Sequence, residues 1–325
     1  MKQTIKYGRI TLLLVSCLLA TLVACDRQEG EITITPYEAP EKPRVALITK
    51  SLANEFFISM AAGAEAHQSA NADRYELVVN GIKNESDVAQ QVNLVEQMMS
   101  ASMDIIVVAP ADSKSLLPVV KRAVDQGITV VNIDNKFDSE LLSQMKLNIP
   151  FVGPDNREGA KVVGEYLAQY LQRGDQVAIV GGVPGAFNAQ QRQAGFEDAM
   201  QAAGMNVVSK QSADWEQTKA AVVASALLSE HPNLKALLCA NDSMALGAVA
   251  AVRQAGRTGA VQVVGFDNIS AANRLIQDGE LLATADQHGD QLAVFGIEYA
   301  LQIFDTGAIP ADRKTPVDLI TSGQL

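Results

Sequence analysis

A chain of 325 residues is one large domain or two ordinary ones, and 48% apolar against 19% charged residues is enough for a sizeable buried core, which excludes disorder. With 26 Lys+Arg against 37 Asp+Glu the net charge is -11, so no basic stripe is available to replace the counterions of a nucleic acid. His67, His231 and His288 lie far apart without a Cys-x-x-Cys or helix-spaced companion, and neither a metal nor a cofactor is expected.

Residues 1–24 read as an export signal, in which Lys2, Lys6 and Arg9 precede an apolar run from Ile10 to Val23 that is short for a membrane span. The run ends in Leu22-Val23-Ala24-Cys25, which resembles the bacterial lipoprotein box, whose cysteine is lipidated and becomes the first mature residue. Residues 25–43 are then the lipidated cysteine and a tether held semi-extended by Pro36, Pro40 and Pro43. The expected product is anchored by lipid to the periplasmic or cell-surface face of the cytoplasmic membrane. Cys17 leaves with the signal and Cys25 is acylated, so Cys239 has no cysteine to pair with; its neighbours Ala236, Leu237 and Leu238 point to a buried thiol.

From Arg44 onward, short apolar runs alternate with segments of helical period. Strands are predicted at 45–48, 77–79, 105–108, 130–133, 177–180, 236–238 and 261–264. Val88, Val92, Val95 and Met99 share one face of a helix, and further helices are predicted near 156–172, 188–203, 216–230 and 242–255. Such alternation demands parallel sheets covered by helices on both faces.

The chain also carries a weak copy of itself. Val107-Val108-Ala109-Pro110-Ala111-Asp112-Ser113 aligns with Leu237-Leu238-Cys239-Ala240-Asn241-Asp242-Ser243, and Val130-Val131-Asn132-Ile133-Asp134-Asn135 with Val263-Val264-Gly265-Phe266-Asp267-Asn268. The expected fold is α/β, with two similar doubly wound parallel-sheet lobes. Asp134 and Asp267 then stand at matching carboxyl edges, where open sheets of this type bind ligands, although both could instead cap the next helix.

Gly181-Gly182-Val183-Pro184-Gly185 lacks the spacing and the Lys-Ser/Thr of a phosphate loop and reads as a strand-to-helix turn. No Gly-x-Ser-x-Gly or His-Glu-x-x-His is present. Asp134 and Asp267 could be the two carboxylates of a glycosidase or carboxylates that grip hydroxyls. Phe56 and Phe57 follow strand one; adjacent on a helix, they are not both expected to face the core, which leaves one as a cleft wall, unless both pack across the strand–helix joint. Trp215 precedes a helix at another edge and is core or site, while Lys50 and Arg192, taken singly, are ordinary solvated charges.

Together these residues resemble the ribose/allose branch of the periplasmic sugar-binding proteins, from Arg44 to about Ile320. The matching pieces are Asn54-x-Phe56-Phe57, Asp134, Arg192, Ala213-Asp214-Trp215, Asn241-Asp242-Ser243-Met244-Ala245, Val264-Gly265-Phe266-Asp267 and Ala283-Thr284-x-x-Gln287. The resemblance implies that Asn54, Asp134, Arg192, Asn241, Asp267 and Gln287 hydrogen-bond sugar hydroxyls while Phe57 and Trp215, with Phe56, sandwich the ring. Lys50, Ala109 and Asn135 depart from the ribose binders and are more like allose binders, which adds Lys50 and Asn135 to the expected site. It further implies a three-segment hinge near Pro154-Asp155, Asp286-Gln287 and Thr315-Val317. The lobes would be 44–154 plus 288–316 and 155–287 plus 317–325. The implied function is capture of a neutral monosaccharide by a monomer and delivery to the membrane permease of an ATP-driven importer, without catalysis. A tethered sugar-sensing subunit for a sensor kinase or chemoreceptor is the alternative.

Overall fold

The computed structural model describes residues 42–325, so the export signal, the lipidation of Cys25 and most of the tether lie outside the described residues. The first lobe begins with β1 (Arg44–Ser51), α1 (Glu55–Ala70), β2 (Glu76–Ile82), α2 (Val88–Ser100), β3 (Ile105–Val108), α3 (Leu117–Asp125), β4 (Thr129–Ile133), α4 (Ser139–Gln144) and β5 (Phe151–Pro154). The second contains α5 (Asn156–Ala168), β6 (Gln176–Gly181), α6 (Phe187–Ala203), β7 (Asn206–Ser212), α7 (Gln217–Glu230), β8 (Leu234–Cys239), α8 (Asp242–Gln254), β9 (Gln262–Val264), α9 (Ser270–Gln277) and β10 (Thr284–Asp286). The chain ends in α10 (Gly289–Thr306), β11 (Arg313–Thr315) and β12 (Asp318–Ile320).

The first sheet runs β11-β5-β4-β3-β1-β2 with every neighbouring pair parallel. The second runs β7-β6-β8-β9 in parallel, and a bridge from Val264 to Ala283 adds β10, which pairs antiparallel with β12. Each lobe therefore places its second strand outside its first and its third, fourth and fifth on the other side. The order reverses between β1 and β3, and again between β6 and β8, which makes both sheets doubly wound. The chain passes between sheets after β5, after β10 and between β11 and β12.

The cores follow the period of two that a strand imposes. Val45, Leu47, Ile105 and Val107 face α1 and α10, while Ala46, Ile48, Ile106 and Val108 face α2 and α3. The stripe predicted for α2 is rotated by about one residue: Gln91, Leu94, Val95 and Met98 are buried. Gln91 turns inward because β1 and β3 end there. Its Nε2 donates to Thr49 O at 3.2 Å and Ala109 O at 2.8 Å, and its Oε1 accepts from Ala111 N at 2.8 Å. The predicted helix at 156–172 stops at Ala168, where turns lead to Gly174 at φ 89°.

Candidate functional site

The carboxyl edges of the two sheets face each other around a small cavity with about 230 Å³ of empty space, part of it open to solvent. Its walls contain Lys50, Asn54, Phe56, Phe57, Asp134, Arg192, Trp215, Asn241, Asp267 and Gln287, together with Glu85 and Asn188. Asn135 stands behind the wall: its Nδ2 donates to Pro110 O at 3.0 Å and its Oδ1 accepts from Asn188 N at 3.1 Å. The amide is consumed in holding a neighbouring element, which is why it does not reach the cavity.

Lys50 and Arg192 are not solvated charges; each is 2% exposed. Lys50 lies within β1, whose burial runs to its last residue, and its Nζ is 2.8 Å from Asp134 Oδ2. That oxygen has no donor in hydrogen-bonding alignment, so charge holds the pair while Oδ2 keeps accepting capacity. The ammonium also lies 5.5 Å from the Phe57 ring centroid and 5.7 Å from that of Trp215, within cation–π range of both.

Arg192 is held from every side. Nε donates to Asn156 Oδ1 at 2.7 Å, Nη1 to Ala240 O at 2.9 Å and to Asp267 Oδ1 at 3.3 Å, and Nη2 to Gln287 Oε1 at 3.2 Å. Its planar head lies 3.8 Å from the Phe266 ring centroid. Gln287 Nε2 completes the network by donating to Asp267 Oδ1 at 2.6 Å. Burial pushes the Asp267 carboxyl well above the usual carboxylate range, against the pull of Arg192, and burial lowers the Arg192 guanidinium.

Neither aspartate is a helix cap: Asp138 caps α4, and Ile269 occupies the cap position of α9. Both instead have positive φ, 62° at Asp134 and 125° at Asp267, as do Asp214 (53°) and Trp215 (69°). Positive φ costs a non-glycine residue of order 1–3 kcal/mol, and at Asp134, Trp215 and Asp267 it falls on residues that line the cavity. The asparagines, by contrast, do cap helices. Asn54 Oδ1 accepts from Phe56 N at 3.0 Å and Asn241 Oδ1 from Met244 N at 2.9 Å, which leaves their Nδ2 groups at the cavity wall.

Phe56 and Phe57 both line the cavity and both are buried, because they pack edge to face at 5.1 Å and 78°. Both readings of this pair therefore hold in part, packing at the strand–helix joint and a place in the wall, because the helix starts at the cavity. Trp215, 4% exposed, belongs at once to the core and to the cavity wall. Gly182 lets the ring approach: a β-carbon there would lie 2.2 Å from Trp215 Cε2. The glycine-rich turn serves this approach, and another of its glycines, Gly185, meets Asp112 of the first lobe just as closely.

Two wall residues were not anticipated from the sequence. Asn188 lies four residues before Arg192 in α6, the spacing that puts two side chains on one face, so that signal was present. Glu85 follows β2 at the carboxyl edge, hidden among the polar turn residues Lys83 to Asp87. Burial raises its carboxyl to about 7, opposed by the charge of Lys50 and a hydrogen bond from Asn54. The formal balance of Lys50 and Arg192 against Asp134 and Asp267 therefore gains a fifth, acidic member. Asp134 Oδ2, Asn188 Oδ1 and Trp215 Nε1 have no hydrogen-bond partner, so the walls offer two acceptors and one donor between aromatic faces.

The protein-family model described as "Periplasmic binding protein domain" matches residues 45–308. A D-ribose/D-allose-binding protein of Pseudomonas aeruginosa is 59% identical over 290 residues, covering 88% of this chain and 91% of that protein. An ABC transporter solute-binding protein from Burkholderia multivorans, solved with an unknown ligand assigned as α-D-erythrofuranose, has a TM-score of 0.85 and 58% identity over 86% of this chain and 99% of that one. A periplasmic solute-binding protein of an ABC transporter from Actinobacillus succinogenes, with bound D-allose, has a TM-score of 0.82 and 34% identity, covering 87% and 98%.

Proposed function

The chain belongs to the periplasmic binding protein family, whose members are substrate-binding transport proteins and not enzymes, and from that premise we propose that it captures an allose-like hexose or a related sugar or polyol and hands it to an ATP-driven importer. The observation that carries this reading is the wall itself. Buried forked groups at Asp134, Arg192 and Asp267 meet three rings around one small cavity. A sugar presents hydroxyl donors and acceptors around its edge and C–H faces above and below, which is the complement of such a wall. The glycosidase reading of the two aspartates gives way to hydroxyl recognition: Asp267 is committed to Arg192 and Gln287, and Asp134 lies against Lys50.

In this reading, residues 44–154 plus 288–316 and residues 155–287 plus 317–325 swing as rigid bodies about the three passages between the sheets. Sugar touches both lobes only in the closed arrangement, so binding shifts the equilibrium toward it. The permease reads the closed shape. The molecule acts as a monomer held by lipid on Cys25 at the periplasmic or cell-surface side of the cytoplasmic membrane.

A thermal-shift screen of pentoses, hexoses and polyols on the soluble form beginning after Cys25 identifies the ligand, with D-allose and D-ribose expected among the stabilising compounds. Deleting the chain is expected to abolish uptake of the labelled sugar. Intact uptake with lost gene induction or taxis would instead assign the sugar-sensing role.

A further inference from the structure

Resting on the carbohydrate reading, the position of Glu85 deepens it. Glu85 sits in the loop between β2 and α2, is 5% exposed, and lines two spaces at once. One is the inner cavity. The other is an outer groove of about 690 Å³ whose sides come from both lobes, including Ser51 and Lys83 of the first and Glu216 and Thr218 of the second. Asn54 and Trp215 are the other wall residues shared by the two spaces.

The chemistry of Glu85 goes beyond what its one bond requires. Asn54 Nδ2 donates to Oε1 at 3.0 Å, a contact that a glutamine would make equally well. Among the described residues no salt bridge neutralises the carboxylate, and Oε2 has no hydrogen bond. Oε2 is not sealed inside the protein but open to the space that Glu85 lines, so it is available to a donor that a ligand brings. The cavity is where such a donor enters.

We infer that Glu85 is a specificity-determining residue: it divides the inner cavity from the outer groove, and its carboxylate accepts the hydrogen of one sugar hydroxyl at that partition. A sugar lacking that hydroxyl loses the bond, and a sugar carrying a substituent on it meets the partition.

The test uses the tightest binder of the saccharide screen, its monodeoxy analogues and its mono-O-methyl ethers, titrated by calorimetry. Glu85→Gln keeps the bond to Asn54 and removes the charged acceptor. It is expected to weaken the parent sugar about ten- to hundredfold while changing the affinity for one particular deoxy analogue by less than about twofold. Glu85→Ala opens the partition and is expected to admit the O-methyl ether at that same position, which the natural protein rejects. Affinity for the parent should rise between pH 6 and pH 8 in the natural protein and lose that part of its rise in Glu85→Gln. Lys50, Asp134 and Glu216, which face Glu85 with Asn54, are common to both proteins, as is Asp267. Equal losses for the parent and all analogues, or no loss for any, would overturn the assignment of Glu85 while leaving sugar binding intact. Failure of the natural protein to bind any saccharide would overturn the carbohydrate reading and this inference together.

Discussion

Replacing Arg192 by methionine keeps much of the side chain's volume and removes the charge from the most constrained point of the cavity wall. Asp267 is then a buried carboxylate whose only remaining side-chain donor is Gln287. Breaking a buried pair in this way costs about 3–5 kcal/mol, because the surviving charge is left uncompensated. For a folded unit of this size the unfolding entropy is on the order of 0.6 kcal/mol/K, so the melting temperature should fall by about 5–8 °C. The loss should also depend on pH. Asp267 has a folded-state pKa raised above its unfolded value, so whatever it contributes to stability is present at low pH and lost as pH rises through the folded value. Removing Arg192 takes away the charge that pulls this value down, so it rises further; the variant's deficit is no smaller at pH 8 than at pH 5 and grows wherever pH passes the natural protein's folded value. Adding Asp267→Asn to the Arg192→Met background should recover at least about 1 kcal/mol at pH 8, since the unpaired charge is gone. Urea unfolding of the soluble form beginning after Cys25, at both pH values without sugar, measures all three. A deficit independent of pH and unrelieved by the second substitution would show that packing over Phe266, not charge, is what Arg192 supplies.

Trp215→Ala should weaken sugar binding by about 1–3 kcal/mol through lost stacking and burial, read as a rise in Kd of about five- to 150-fold; an unchanged Kd would return the ring to a purely core role. Gly182→Ala pushes a methyl group into that ring and should reproduce most of the same loss without touching any hydrogen-bonding group, which near-ultraviolet circular dichroism of the single tryptophan would accompany with a changed signal. A phosphate ester of the bound sugar should bind at least about a hundredfold more weakly than the parent, since Glu85 adds a third carboxylate to walls in which Asp134 and Asp267 already face Lys50 and Arg192; equal affinities by calorimetry would contradict the electrostatic reading. Cys239 is fully buried and its thiol is raised above the ordinary range by burial, so iodoacetamide at pH 8 should label it only after unfolding, as mass spectrometry would report.

The architecture was legible in the chain because its signals are local and repeated. Apolar runs such as Ile105 to Val108, buried on both faces, cannot be read as anything but interior strands once helical periods separate them. The duplicated approach to Asp134 and Asp267 marked two matching edges. What local pattern could not show was the burial of charge. Lys50 and Arg192 look solvated because their environment is made by elements far away in the chain, Asp134 for one and Asn156, Ala240 and Gln287 for the other. Glu85 escaped for the same reason, since a turn residue becomes a wall only when the opposite lobe approaches. Asn135 failed in the other direction: it neighbours Asp134 in sequence, but the backbone at Asp134 turns left-handed and sends the next side chain into the loop behind.

In the hinge motion proposed above, closure is decided by small numbers. The lobes meet directly through Phe187 N to Ser113 Oγ at 2.9 Å, Ser113 N to Gly185 O at 3.3 Å, Asn188 N to Asn135 Oδ1 at 3.1 Å and Ser270 N to Glu55 Oε1 at 2.8 Å. At about 0.5–1.5 kcal/mol net for each, these contribute roughly 2–6 kcal/mol. Against them stand Asn188 Oδ1 and Trp215 Nε1, which closing takes away from water without a protein partner, at about 1–3 kcal/mol each. The two sides nearly cancel before the desolvation of Lys50, Asp134, Arg192 and Asp267 is added, and that further cost tips the balance toward open lobes. A sugar whose hydroxyls satisfy those two atoms removes the opposing side and so gains differential affinity for the closed form. Asn188 links the two effects in one residue, because its backbone joins the lobes through Asn135 while its side chain waits for the ligand. Asn135→Ala should therefore weaken sugar binding without altering any group in contact with the sugar, by about three- to tenfold. Small-angle scattering should then show a larger open fraction at subsaturating sugar, and an unchanged Kd with an unchanged open fraction would show that the lobes are held together by other contacts.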